Sequence, residues 1–357
     1  MALLDLPQYR FAGTPAEIGR QHGTTLGAPI RAFVAERMRA AKVYLHERGI
    51  RDQRRFVALG RECLQKLKEW DRAGWDEHIA TAAGAAVDAD ELYTAANMTD
   101  IRDILALAGK RADAEGCSAA LIPPRLAADG QVIAAQTWDL NPGDVDFVVA
   151  IRRDLAGGPS WWSVGCVGCP TLIALNDRGV AVGTTNIKTS DARVGVPYLG
   201  VLHRAIRAST RAEAAQVIET APRAAAHTYW VADATGASDF ECSATAAHRR
   251  DLADHPLVRT NHCLDERTRA IEAEPPSSSS QARVARLATL VGKGRQDVAS
   301  LRKAFADRSD GVDSLSRWAE DAQGTATDAC IVCLPAKREM HACRGPSDRG
   351  AWVRLGF

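Results

Sequence analysis

The spacing of apolar side chains first changes between residues 110 and 117, and that change demands a fold with a helical part and a strand-rich part. Before it, apolar residues recur three and four apart, as Ile30, Phe33, Val34 and Met38 and then as Phe56, Leu59, Cys63, Leu67 and Trp70. That spacing lines one face of a helix, so residues 15–110 are expected to be helical. After it come short β-prone runs at 132–138, 145–151, 171–175, 180–185, 228–232 and 239–242. The turn signals Ala128-Asp129-Gly130, Asn176-Asp177-Arg178-Gly179 and Asp233-Ala234-Thr235-Gly236 mark hairpins. Helical spacing returns at 197–219 and 281–305, the second preceded by serines 277–280 that suit an N-cap. Strands return at 329–335 and 340–343. Helices inserted between groups of strands predict one α+β unit, with helices covering stacked, mainly antiparallel sheets.

Charge narrows the function. Lys plus Arg number 45 and Asp plus Glu 44, a net charge of +1, so no large field draws in nucleic acid or an anionic membrane. A small-molecule substrate is expected. An acid and a proline interrupt the first ten residues, and no apolar run approaches the roughly 18 residues of a membrane span. A cytoplasmic location is therefore expected.

Nine cysteines at irregular spacing favour reduced thiols over a disulfide framework. Cys330 and Cys333 bracket an apolar, β-branched pair that reads as strand, where residues three apart point to opposite faces and cannot grip one metal. Cys166 and Cys169 supply half a site at most. Neither a metal nor a bound cofactor is expected. Trp161-Trp162 fits a pocket wall and a sheet cover equally.

Glu115-Gly116-Cys117-Ser118 sits where the texture changes. Other blocks stand in order around it: Gly13-Thr14-Pro15-Ala16-Glu17-Ile18-Gly19-Arg20-Gln21-His22-Gly23, Gln136-Thr137-Trp138-Asp139, Gly179-Val180-Ala181-Val182, Gly195-Val196-Pro197, Glu241-Cys242-Ser243 and Arg259-Thr260-Asn261-His262-Cys263-Leu264. In content, order and spacing these resemble the acyl-coenzyme A:6-aminopenicillanic acid acyltransferase family, a branch of the N-terminal-nucleophile (Ntn) hydrolases.

The resemblance implies an αββα sandwich and self-cleavage between Gly116 and Cys117. The products would be 1–116, mainly helical, and 117–357, strand-rich, intertwined in one globular unit. It further implies Cys117 as nucleophile, and Asn261 with the backbone N–H of Asp139 as oxyanion donors, with Asp139 also orienting the new amine. Ser118, Glu241 and Ser243 become supporting residues around them. The activity implied is amide hydrolysis of an N-acyl substrate through a Cys117 thioester. Transfer of the acyl group from a coenzyme A thioester to an amine is the alternative, and an unprocessed binding protein the second. The partner implied is the chain's own N-terminal fragment; the oligomeric state stays open. His22 reads as a helix anchor, and a His262–Cys263 dyad is disfavoured because neighbours on an extended segment diverge. Two departures stand out. The hydroxyl-bearing residue two places after the family's nucleophile is Ala119 here, and an arginine of its late block is replaced by Gly324 in Gln323-Gly324-Thr325-Ala326-Thr327, which removes a guanidinium from the expected site.

Overall fold

A computed structural model describes residues 3–50, 53–106, 116–321 and 324–357. The helix expected over 107–110, Glu115 and Gln323 lie outside the described residues. Strand β1 (Gln8–Gly13) leads into α1 (Pro15–Thr25). Thr14 Oγ1 accepts the Glu17 N–H while the Glu17 carboxylate accepts the Thr14 N–H at 2.8 Å. The opening sequence block is thus a capping box that starts a helix. Helices α2 (Gly27–Glu47), α3 (Gln53–Trp70), α4 (Arg72–Ala85), α5 (Ala89–Ala96) and α6 (Met98–Ala106) follow.

From Gly116 the backbone turns to strand: β2 (Gly116–Ile122), β3 (Ile133–Leu140), β4 (Val148–Leu155), β5 (Ser160–Cys166), β6 (Ile173–Asn176) and β7 (Ala181–Asn186). Then come α7 (Tyr198–Ala205), α8 (Arg211–Thr220), β8 (His227–Asp233), β9 (Gly236–Cys242), β10 (Ala247–Asp251) and β11 (Leu257–Arg259). The chain finishes with α9 (Glu266–Arg269), α10 (Ser278–Val291), α11 (Val298–Phe305), β12 (Ala326–Leu334), β13 (Glu339–Arg344) and β14 (Val353–Leu355). Ser277 caps α10 by accepting the Ser280 N–H, as its serine run predicts.

One sheet has eight strands in the order β1-β4-β5-β6-β7-β8-β9-β10, the other six in the order β11-β2-β3-β12-β13-β14. Every pairing is antiparallel except β1 with β4. The sheets face each other, and Gln136 of β3 bridges them. Its amide accepts the Thr184 N–H at 3.2 Å and the Trp230 indole N–H at 2.7 Å and donates to the Thr184 carbonyl. Gly183 has to be glycine, since a Cβ there would lie 2.3 Å from the Trp230 ring. Helices α10 and α11 cover the outer face of the six-stranded sheet, with Leu287, Val291, Leu301 and Phe305 packed on Ile122, Ile133 and Val332. Helices α1, α7 and α8 pack against the eight-stranded sheet. The layers run helix, sheet, sheet, helix, the αββα order expected.

One local expectation is corrected, and two strands stand where the sequence marked none. Strand β1 goes unannounced in the sequence because it is six residues long and the helix signal follows at once. Residues 145–147 belong to a 3-10 turn, Pro142–Phe147, ahead of β4. Strand β5 holds the tryptophan pair: Trp161 is fully buried and donates to Thr171 Oγ1, and Trp162 donates to the Gly356 carbonyl. Cys330 and Cys333 do face opposite ways, one beneath α10 and α11 and the other between the sheets. His22 stacks on Phe11 and accepts the Gly168 N–H at 3.0 Å, a packing anchor.

Beneath this packing lies a buried ionic node. Glu77 of α4 meets Arg153 of β4 at 2.7 Å and His203 of α7 at 3.2 Å. Replacing one member strands the other charge in the interior. Glu77→Ala is expected to lower stability by about 3–5 kcal/mol in urea denaturation, and a loss below about 1 kcal/mol would show that the node does not hold the helices to the sheet.

Candidate active site

Cys117 lies in the second position of β2, a central strand in which all seven residues are buried. Register places Cys117 opposite Trp138 and Gly116 opposite Asp139. The Cys117 N–H donates to Asn261 Oδ1 at 2.8 Å, and its carbonyl accepts from Arg283 Nη1. Arg283 Nη2 also donates to Asn261 Oδ1, at 2.9 Å, while Asn261 Nδ2 donates to the Asn186 carbonyl at 3.0 Å. Asn261 is itself fixed by the first turn of α10, since its N–H donates to Ser280 Oγ at 2.9 Å. Residues 117, 186, 261 and 283, scattered in sequence, thus meet around one peptide unit.

The thiol faces the backbone N–H groups of Asp139 and Asn186. Burial and the nearby Asp139 carboxylate push it up to about 12, against the pull of those N–H groups and of Arg283. Burial likewise raises Asp139, opposed by the Arg317 and Arg283 guanidiniums and the Thr327 and Thr137 hydroxyls. Arg283 is pushed down to about 10 by burial and by the like charge of Arg317. Gly116 follows from this crowding: a Cβ there would stand 2.7 Å from Asp139 Oδ2 and 3.0 Å from Arg317 Cζ. Close approach of buried charged groups, not a left-handed φ, explains that glycine.

Thiol, Asp139 and Asn261 line one cavity between the sheets, with a volume of about 30 Å³, enough for one or two waters. Trp138, Leu140, Leu172 and Tyr198 give it apolar walls, and Thr99, Thr184, Asn186 and His227 complete it.

The remaining sequence candidates divide. Ser118 Oγ accepts from Arg283 Nη1 at 3.0 Å, on the α10 side of the strand. Glu241 pairs with Arg259 and accepts the N–H groups of Leu264 and Asp265 at 3.0 Å, bracing the loop that carries Asn261. Ser243 is not brought to the site: its carbonyl accepts from Arg223 and its hydroxyl closes the turn to Ala246. His262 is tied to Ser280 Oγ at 2.7 Å, and the Cys263 N–H goes to Glu272, so they form no dyad. Ala119 is buried opposite Gln136.

Sequence reasoning missed Arg283, Arg317, Asn186 and His227. Arg283 had a signal, because it is in phase with Leu287 and Val291 on the buried face of α10 and a buried arginine demands partners. Gly324 supplies no guanidinium, but one reaches that block from elsewhere. Arg317, a few residues upstream, reaches into the same block, donating to Thr325 Oγ1 at 2.6 Å and standing 3.9 Å from Asp139. No pattern around it foretold that reach. Among the described residues no cluster of His, Cys, Asp and Glu is arranged to hold a metal, and no helix is long and apolar enough to cross a membrane.

Comparison with known proteins covers the motif blocks from Gln136 onward, and leaves Gly13–Gly23 and Gly116-Cys117 outside the match. A family model for acyl-coenzyme A:6-aminopenicillanic acid acyl-transferase matches residues 126–349, well over half the chain. No curated protein gives a significant match. Similar solved structures include a C2A mutant of conjugated bile acid hydrolase from Clostridium perfringens, 10% identical, with a TM-score of 0.45 over 68% of this chain and 92% of that one. Penicillin V acylase from Agrobacterium tumefaciens is 12% identical, with a TM-score of 0.39 over 67% and 86%. On the family match, this chain belongs to the acyl-coenzyme A:6-aminopenicillanic acid acyl-transferase family.

Proposed function

We propose that the chain cuts itself between Gly116 and Cys117 and then hydrolyses an N-acyl amide through a thioester on Cys117. One observation carries this reading. The nitrogen and the sulfur of Cys117 are held at the same cavity, the nitrogen on Asn261 Oδ1 and the sulfur before two backbone N–H groups. For scission, the sulfur attacks the Gly116 carbonyl, the C–S bond forms as the C–N bond breaks, and the thiol proton goes to the departing nitrogen. A cavity water then hydrolyses the thioester. The new α-amine, with a reference pKa of about 7.7–8.0, stays beside its own thiol and takes its proton near neutral pH.

In the amidase cycle, the carbonyl of the substrate occupies the cavity, with the Asp139 N–H and the second amide proton of Asn261 as oxyanion donors. Each such donor is typically worth about 2.7–4 kcal/mol of transition-state stabilisation. The Asp139 carboxylate orients the amine. Ser118 and Arg283 hold the strand in place from the other side, and Glu241 holds the Asn261 loop. No cofactor is needed.

A second reading, favoured by the matched family's name, passes the acyl group from a coenzyme A thioester to an amine. It shares the thioester and differs only in the acceptor.

Intact-mass analysis of purified protein is expected to give fragments 1–116 and 117–357, with Cys117→Ala remaining whole and Gly116→Ala slowed about 10- to 100-fold by displacement of the reacting atoms. A seamless wild-type chain would sink the self-cleavage. Incubating the mature protein with an acyl donor, with and without amines, separates the two activities: free acid without any amine is expected from the hydrolase, whereas amide alone would replace it with the transferase.

A further inference from the structure

An α-amine released at Cys117 can take the thiol proton only while it is uncharged, and the groups around it decide whether it is. In the uncut chain that nitrogen donates to Asn261 Oδ1 at 2.8 Å, and the same oxygen accepts Arg283 Nη2 at 2.9 Å. Two donors on one oxygen stand within about 6 Å of each other, the reach over which one charge moves the titration of another. Arg283 Nη1 also donates to the Cys117 carbonyl, so one guanidinium is tied to both ends of this residue's main chain. Arg283 is fully buried. Burial and Arg317 push it down to about 10, which still leaves it charged at neutral pH.

The other charges near that nitrogen pull both ways. Asp139 of β3 stands opposite Gly116, and its Oδ2 is 2.7 Å from where a Gly116 Cβ would lie. A carboxylate so placed favours the ammonium form, and acting alone it would raise the amine above its reference range of about 7.7–8.0 and leave it protonated at neutral pH. Arg317, ahead of β12, is 3.9 Å from Asp139 and offsets part of that pull. Asp313, in the turn Gly311–Asp313, attracts Arg283 less than Asp139 does. His262, beside Asn261, is pushed down by burial and by Arg283, and the Cys117 thiol is pushed up by burial, so neither adds charge at neutral pH. Asn261 Oδ1 is already shared with a cation, which repels a second one.

We propose that Arg283 is a positioning residue that keeps the Cys117 α-amine uncharged at neutral pH, a role that rests on the scission proposed above. Like charges repel, so the guanidinium makes the ammonium form costly, and the amine releases its proton at a lower pH than a free α-amine does. During acylation the amine takes the thiol proton as the C–S bond forms. The same proton passes to the leaving nitrogen of the substrate as the C–N bond breaks, and a repelled proton is given up more readily. No bond forms or breaks at Arg283 itself.

Mature protein labelled with 15N-cysteine tests this, because the Cys117 amine is then the one cysteine nitrogen outside an amide bond and its 15N shift can be followed against pH. The wild-type amine is expected to titrate below the free range of about 7.7–8.0. Arg283→Met is expected to raise that midpoint by about 1 unit or more, and Arg283→Lys, which keeps the charge, to restore it. The nitrophenolate burst from p-nitrophenyl acetate is expected to shift its acid limb in the same direction. A merely structural role would slow the burst at every pH and leave the midpoint in place, which overturns the proposal. A wild-type amine titrating at or above about 8 overturns it as well, and that result needs no variant should Arg283→Met fail to mature. A seamless chain with no amine resonance would instead remove the scission itself, and the proposal with it.

Discussion

Two guanidiniums buried beside one carboxylate organise the centre of this molecule. Arg283 and Arg317 are almost wholly removed from water, as is Asp139, and dehydrating such ions costs several kcal/mol each unless hydrogen bonds replace the water. The chain supplies them. Arg283 donates to the Cys117 carbonyl, Ser118 Oγ and Asn261 Oδ1, and Arg317 to Thr325 and Ser279. These bonds tie β2 to α10, the Asn261 loop and the approach to β12, so the groups that surround Cys117 are also what hold these elements together.

The layered fold makes this arrangement affordable in space. Central strands β2 and β7 face each other across the sandwich, which brings Cys117 against the Asn186 N–H and leaves a cavity between them. Gln136 joins the sheets at the same level, satisfying an indole and a peptide unit that would otherwise be buried without partners. Helix α6 closes the opposite side through Asp100, so residues before and after the proposed scission point share one wall.

Much of this was legible in the residue order. Helices α2 and α3 follow from apolar side chains three and four apart, and the β6–β7 and β8–β9 hairpins from Asn176–Gly179 and Asp233–Gly236, because those signals are local. Cys117, Asp139 and Asn261 stood out through motif blocks, and the structure brings all three to one cavity. Strand β1 was hidden because its parallel partner, β4, lies about 140 residues away and leaves no trace in its own six residues.

The residue order alone determined the alternation of helix and strand, the turns, and which cysteine stands at the boundary, since each depends on periodicity or on neighbours along the chain. Only the tertiary structure decided that Arg283 and Asn186 come to Cys117, that Arg317 comes to Asp139 and that His227 lines the same cavity, while Ser243 turns elsewhere. Those outcomes depend on which faces of distant elements meet across two sheets, and on where buried charges find partners, and neither is encoded within any short window of sequence.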